Sequence, residues 1–280
     1  MAEIIDTLKE RQARKGLPFG MWGEAEYFAD LVGKRVVIVG PAGYVQGMGE
    51  VIDSYDVVVR VNHALPIAFP EDYGTRTDVL YHILSHRGGT SKTVVTQEEV
   101  ASWDCEWIVS RHAPRSARIR RVGPYLEGRK WTAMSHEFFF TVRKEIGSLS
   151  PNTGVSAIAH LLLSDLKSLD VIGFDFYRSG VYKGYGDVGE KENALRINEN
   201  WHDTDAQLRY LAVLQRRDNR LHFDETLKEI INECIGGNSR KARKHKVSQQ
   251  TAVPDSREAD DIESAGSPTE LQEDCSDSEY

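Results

Sequence analysis

Cysteine is scarce in this chain. Only Cys105, Cys234 and Cys275 occur in 280 residues, and they are scattered. That excludes a disulfide-framed scaffold and reads as reduced thiols in a cytoplasm. Long apolar runs are also missing. None reaches the ~18 residues expected of a membrane span, and the opening MAEIIDTLKERQARKG has no signal-peptide core. A soluble cytoplasmic protein without signal peptide or anchor is therefore expected. Excess positive charge is absent too: the net charge is -8, which argues against a broad nucleic-acid-binding face. The length suits one α/β domain with a tail.

What the chain does have lies between Arg35 and Thr77. A β-branched run, Val36 to Val39, ends in a turn carrying Gly40, Gly43, Gly47 and Gly49. Glycines directly after a buried strand let backbone approach a ligand and leave amide N–H groups to face a phosphate. No Gly-Lys-Ser/Thr follows, which excludes a P-loop. The dinucleotide pattern G-x-G-x-x-G is broken by Ala42, and the second run, Val57 to Val59, continues into Arg60-Val61-Asn62 with no acid at its tip. Arg60 nonetheless keeps an NADP-dependent oxidoreductase open as a rival reading.

Three blocks in order carry a resemblance. The glycine turn with Arg60-Val61-Asn62 and Gly74-Thr75-Arg76-Thr77 resembles the large sialyl motif of glycosyltransferase family 29, the sialyltransferases. Ser150-Pro151-Asn152-Thr153-Gly154, with Leu169 to Phe174, resembles the small motif, and Trp201 to Gln207 resembles the last short motif. The resemblance implies an enzyme that moves an acidic sugar, sialic acid or a related nonulosonic or Kdo-type sugar, from a CMP-sugar donor to an acceptor hydroxyl. Transfer would be inverting, with no metal and no cofactor beyond the CMP-sugar co-substrate. Eukaryotic members join the two large motifs by a disulfide and are anchored in the Golgi. Here Val36 stands where the first cysteine would be and the small-motif block has none. That implies a soluble bacterial or virus-encoded type. The acceptor would be a glycan or another hydroxyl compound, modified DNA included.

The resemblance also assigns residues. His202 takes the catalytic histidine's place, and an imidazole accepts a proton near neutral pH. The bland alternative is a histidine starting a helix that Asp203 and Asp205 favour. Donor-nucleotide contacts are expected from Gly40, Ala42, Gly43, Asn62, Asn152, Thr153, Gly154, Phe174, Asp175 and Tyr182. Asn152 also suits an N-cap, Asn62 a turn and Phe174 simple core packing. Pro41 and Gln207 depart from the family, which keeps a catalytically degenerate nucleotide- or glycan-binding module open. His82 and His86 have metal-ligand spacing but no apparent third ligand. His160, in an apolar helix, reads as a satisfied core histidine.

The expected architecture is α/β, a Rossmann-like and mainly parallel sheet with helices on both faces, as in a single-domain variant of the GT-A type. Strands are expected at 35–39, 56–61, 78–83, 106–110 and 169–173. Helices are expected at 97–102, 114–127, 135–146, 154–167, 203–216 and 225–234. Residues 1–33 read as a helix and connection, 34–235 as the nucleotide-sugar domain, and 236–280 as a disordered tail, basic then acidic.

Overall fold

A computed structural model describes residues 17–84, 94–112, 116–147, 151–185 and 203–250, with side chains up to 237. Among them are seven strands: β1 (Arg35–Val39), β2 (Val57–Val61), β3 (Val79–His82), β4 (Trp107–Ser110), β5 (Lys130–Ala133), β6 (Ser168–Ile172) and β7 (Leu221–Phe223). They form one sheet in the order β5-β4-β3-β2-β1-β6-β7, and every pairing is parallel.

The valine-rich strands explain the layering. Successive side chains point to opposite faces. Val36 and Ile38 enter one core with the helices Glu24–Asp30, Thr153–Leu161 and Thr204–Arg217. Val37 and Val39 enter another with Ile52, Tyr73 and Tyr182. β2 is buried along its whole length, as expected of a central strand covered on both sides. Leu80, Ile108 and Trp131 pack a third cluster toward the β5 edge.

The five expected strands and the helix positions hold to within a few residues, apart from two helices. The expected helix 154–167 ends at Leu161, and the expected helix 225–234 extends to Gln250. Residues 236–250 are thus helical backbone, continuing turns that are anchored by buried Leu227, Ile230 and Ile231. Two compact units are distinguished, Met1–Asn238 and Ser239–Tyr280. The remainder of the tail, 251–280, lies outside the described residues.

β5 and β7 are additions to the sequence reading. Both are edge strands, of four and three residues, without a β-branched run.

The chain runs outward from β1 to β5, then returns to place β6 on the other side of β1. The strand order reverses there, and a crevice opens beyond the carboxyl ends of such strands.

A buried polar chain crosses the core behind this point. His160 Nε2 meets Glu24 Oε1 at 2.8 Å, Tyr81 Oη meets His160 Nδ1 at 2.8 Å, and the Tyr27 and Tyr81 hydroxyls are 3.0 Å apart. His160 is thus the satisfied core histidine expected. Burial holds its pKa below the usual value of 6.5, against the opposing pull of Glu24. Burial does the same, more strongly, for His82. The unfolded chain therefore binds protons that the fold refuses as pH falls below about 6.5. Stability is expected to be full above that value and to fall below it, each histidine adding a slope of up to about 1.4 kcal/mol per pH unit. Urea midpoints between pH 7.5 and 5 check this. His160→Gln is expected to flatten part of the slope, and an unchanged profile would remove His160 from the account.

Candidate active site

The crevice at the β1/β6 switch point holds a cleft. Its walls are Pro41 and Ala42 after β1, Val61 and Asn62 at the end of β2, and Gly173 to Tyr177 after β6. Asn152, Thr153 and Gly154 add the start of a helix, and Gly180, Val181 and Tyr185 close one side. Seven of the expected donor contacts meet here: Ala42, Asn62, Asn152, Thr153, Gly154, Phe174 and Asp175.

The helix Thr153–Leu161 is buried at every position, so its first turn is fixed against the sheet. Asn152 caps it, its Oδ1 accepting from Val155 N at 2.7 Å. Gln207 Oε1 accepts from Asn152 N at 2.8 Å, and Gln207 is itself fully buried. The third sequence block is thereby tied to the second. The amides of Thr153 and Gly154 have no partner among the described residues, leaving two donors at the positive end of a helix dipole on the cleft wall.

Phe174 is wedged between two glycines. A Cβ on Gly154 would lie 2.3 Å from Phe174 Cε1, and one on Gly40 would lie 2.7 Å from Phe174 Cδ2 and 2.2 Å from Gly173 O. The ring is mostly core, with one edge in the cleft. Asp175 Oδ2 accepts from Ser179 N at 2.6 Å, fastening the loop that follows β6. Asn62 has a left-handed φ of 49°, and its Oδ1 accepts from Ile83 N at 3.2 Å.

Three expected contacts do not line the cleft. Gly40 is there so that β1 can touch the backbone of Gly173. The turn amides are also not free for a phosphate: Gly40 N donates to Ile172 O at 2.8 Å, Ala42 N to Gly173 O at 3.0 Å and Gly43 N to Gly180 O at 3.3 Å. Tyr182 lies beneath the cleft wall, its ring 4.4 Å from that of Tyr73, while Tyr185 is the tyrosine that reaches the lining. Gly40→Ala is accordingly expected to cost about 3 kcal/mol, the upper range for overpacking, because backbone must move. A Cβ on Gly43 meets only Ser179 O at 3.6 Å, so Gly43→Ala is expected to stay within about 0.5 kcal/mol. Melting temperatures of the pair check the contrast, and equal losses would refute it.

Arg60 corrects the rival reading. Its side chain is buried. Nε donates to Thr77 Oγ1 at 3.0 Å, and Nη2 donates to Tyr73 O and Arg76 O. The guanidinium holds the loop before β3 and does not face a cofactor phosphate.

His202 lies outside the described residues, as does Trp201. Asp203, next in the chain, caps the helix Thr204–Arg217, its Oδ1 accepting from Ala206 N at 2.8 Å.

Phe176 and Tyr177 were not anticipated. Both line the cleft with φ of 55° and 66°, a rare conformation for aromatic residues that marks stored strain. Only coordinates reveal it. Gln207 was noted in the sequence as a departure, but its bond to Asn152 carries no sequence signal.

One described group has the composition of a metal centre. The candidate ligand atoms of His63, His82 and Glu99 lie within 4.8 Å of one another, which supplies the partners that the sequence did not reveal for His82. His86 lies outside the described residues. Leu84 N donates to His82 Nδ1 at 2.9 Å, so the proton of the neutral ring sits on Nε2, which is buried without a partner. A protonated nitrogen is a donor and not a metal ligand.

Residues 24–109 match the family model described as glycosyltransferase family 29 (sialyltransferase). Type 2 lactosamine alpha-2,3-sialyltransferase of Homo sapiens is 37% identical over 79 residues, covering 22% of this chain and 24% of that protein. The protein of that name in Pan troglodytes gives the same figures. The chain thus spans about a quarter of the length of the curated relatives it matches. Among solved structures, a mammalian sialyltransferase is 16% identical with a TM-score of 0.46, covering 71% of this chain and 77% of that one. The monofunctional alpha-2,3-sialyltransferase Cst-I from Campylobacter jejuni is 12% identical with a TM-score of 0.47, covering 68% and 76%. No helix among the described residues is long and apolar enough to cross a membrane. The family 29 (sialyltransferase) match is thus confined to residues 24–109, the stretch that holds the motifs following the first strand.

Proposed function

We propose that the protein is a CMP-sugar-dependent glycosyltransferase that moves an acidic sugar to an acceptor hydroxyl. One observation carries the reading: residues from all three sequence blocks converge on one corner. Asn62 of the first lines the cleft with Asn152, Thr153 and Gly154 of the second, and Gln207 of the third hydrogen-bonds Asn152. The family match over residues 24–109, which contain the first block, supports it.

In this reading the Thr153 and Gly154 amides bind an oxyanion of the donor. Asn62, whose amide can donate while its oxygen is held by Ile83 N, and Asp175 address the ribose or the base. His202 is the general base that takes the acceptor proton as the anomeric carbon is attacked from the face opposite the leaving CMP. Direct attack inverts the anomeric centre, and the leaving phosphate is stabilised by hydrogen-bond donors with no metal in the step.

A thermal-shift screen of CMP, CDP, UDP, GDP, NADP and S-adenosylmethionine tests the donor class. Cytidine nucleotides are expected to stabilise selectively, by about 2.7 kcal/mol at a hundredfold excess over Kd. A shift with NADP alone would end the proposal. Binding of CMP without any turnover of a CMP-sugar would instead mark a degenerate binding module.

A further inference from the structure

Arg111 follows β4 directly, its N–H donating to His82 O at 3.2 Å. The side chain crosses to the neighbouring segment. Nη1 donates to Pro151 O at 2.5 Å, and the guanidinium lies over the Phe139 ring, 5.6 Å from its centroid. Nε is buried and has no hydrogen-bond partner.

The geometry of the fork gives this meaning. Nη1 is the nitrogen on the Cδ side, so its bond to Pro151 leaves the opposite edge, Nε with Nη2, without an acceptor among the described residues. That edge offers two parallel donors, the arrangement that takes a carboxylate or phosphate bidentately. No carboxylate is found among Arg111's described partners, and the other charge that bears on it is a cation, Arg118. Arg60 is the contrast within the same molecule, since carbonyl and hydroxyl oxygens occupy both Nε and Nη2 there. A guanidinium whose Nε is buried without a partner is unfavourable until an anion completes that edge.

We infer that the Nε–Nη2 edge of Arg111 receives an oxyanion of the substrate beside the Asn152–Thr153–Gly154 wall. Pro151, which Arg111 grips, immediately precedes Asn152, a cleft-lining residue. Arg111 is not itself among the cleft-lining residues, so the link runs through Pro151 to the unpartnered amides of Thr153 and Gly154, two and three positions further along the chain. The inference rests on the CMP-sugar reading and deepens it. Such a donor has two oxyanions, the phosphate and the sugar carboxylate, and both have this chemistry.

Equilibrium binding of cytidine, CMP and CMP-sialic acid to the full chain, R111Q and R111K tests it. R111Q is expected to weaken oxyanion-bearing ligands about 10- to 100-fold while cytidine affinity is unchanged. Equal losses for CMP and CMP-sialic acid assign the phosphate; a loss confined to CMP-sialic acid assigns the carboxylate. R111K keeps the charge without the fork and is expected to show the same selectivity with a smaller loss; it carries the comparison if R111Q does not fold. Unchanged affinity for both nucleotides in the variants overturns the Arg111 assignment alone. So does an equal loss for cytidine, which would mark a purely structural role. A wild-type chain that binds none of the three overturns the donor reading and this inference with it.

Discussion

His202→Ala is expected to lower kcat about 10²- to 10⁴-fold, the range for loss of a positioned general base, with CMP affinity largely intact. The split matters because His202 is immediately followed by Asp203, the cap of a helix whose Gln207 holds the Asn152 corner. A structural role for the histidine would loosen that corner and weaken CMP binding together with turnover. A base would leave binding alone. The pH profile adds a second readout. With the imidazole as base, the rate rises from acid to neutral pH as it deprotonates, and that limb disappears in the variant. Wild-type turnover by His202→Ala would remove the base from the mechanism.

Arg60→Met is expected to destabilise the fold by about 3–5 kcal/mol, the range for removing one partner from a buried charged network. The variant fills much of the volume but leaves the buried Tyr73 O and Thr77 Oγ1 and the half-buried Arg76 O without their donor. Each such loss costs about 1–3 kcal/mol. Burial outweighs the support of Tyr182, Asp53 and Asp78 and pushes the Arg60 pKa down to about 10; lysine would fare little better than methionine for want of the planar fork. Denaturant unfolding of the variant gives the number. A loss below 1 kcal/mol would mean that the loop before β3 is held by other contacts, such as the bonds of Thr75 to Asp53.

The sheet was legible because its central strands are continuous β-branched runs. β5 (Lys-Trp-Thr-Ala) and β7 (Leu-His-Phe) were not, because neither contains the run of β-branched residues that marked the central strands. The site was legible as a place and less so as a list. Asn62, Asn152 and Thr153 follow strand ends or open a helix, so position in the fold puts them at the crevice. Gly40, in the first block, and Tyr182, outside the three blocks, were both expected at the donor yet serve the scaffold, one by letting two backbones touch and the other by filling the space beneath the wall. A motif records which residues are needed together, and ligand contact and loop support leave the same mark in it. Arg60 with Thr77 is the clearest instance: two motif residues bound to each other.

The amides of the β1 turn and the loop after β6 are joined through Ala42 N to Gly173 O, Gly43 N to Gly180 O and Tyr182 N to Pro41 O. These two segments therefore open as one cooperative unit, and deuterium uptake at residues 42, 43 and 182 would rise or fall in concert. A ligand that seats against either segment slows labelling in both, which makes those three amides a built-in reporter of cleft occupancy that requires no assay of chemistry.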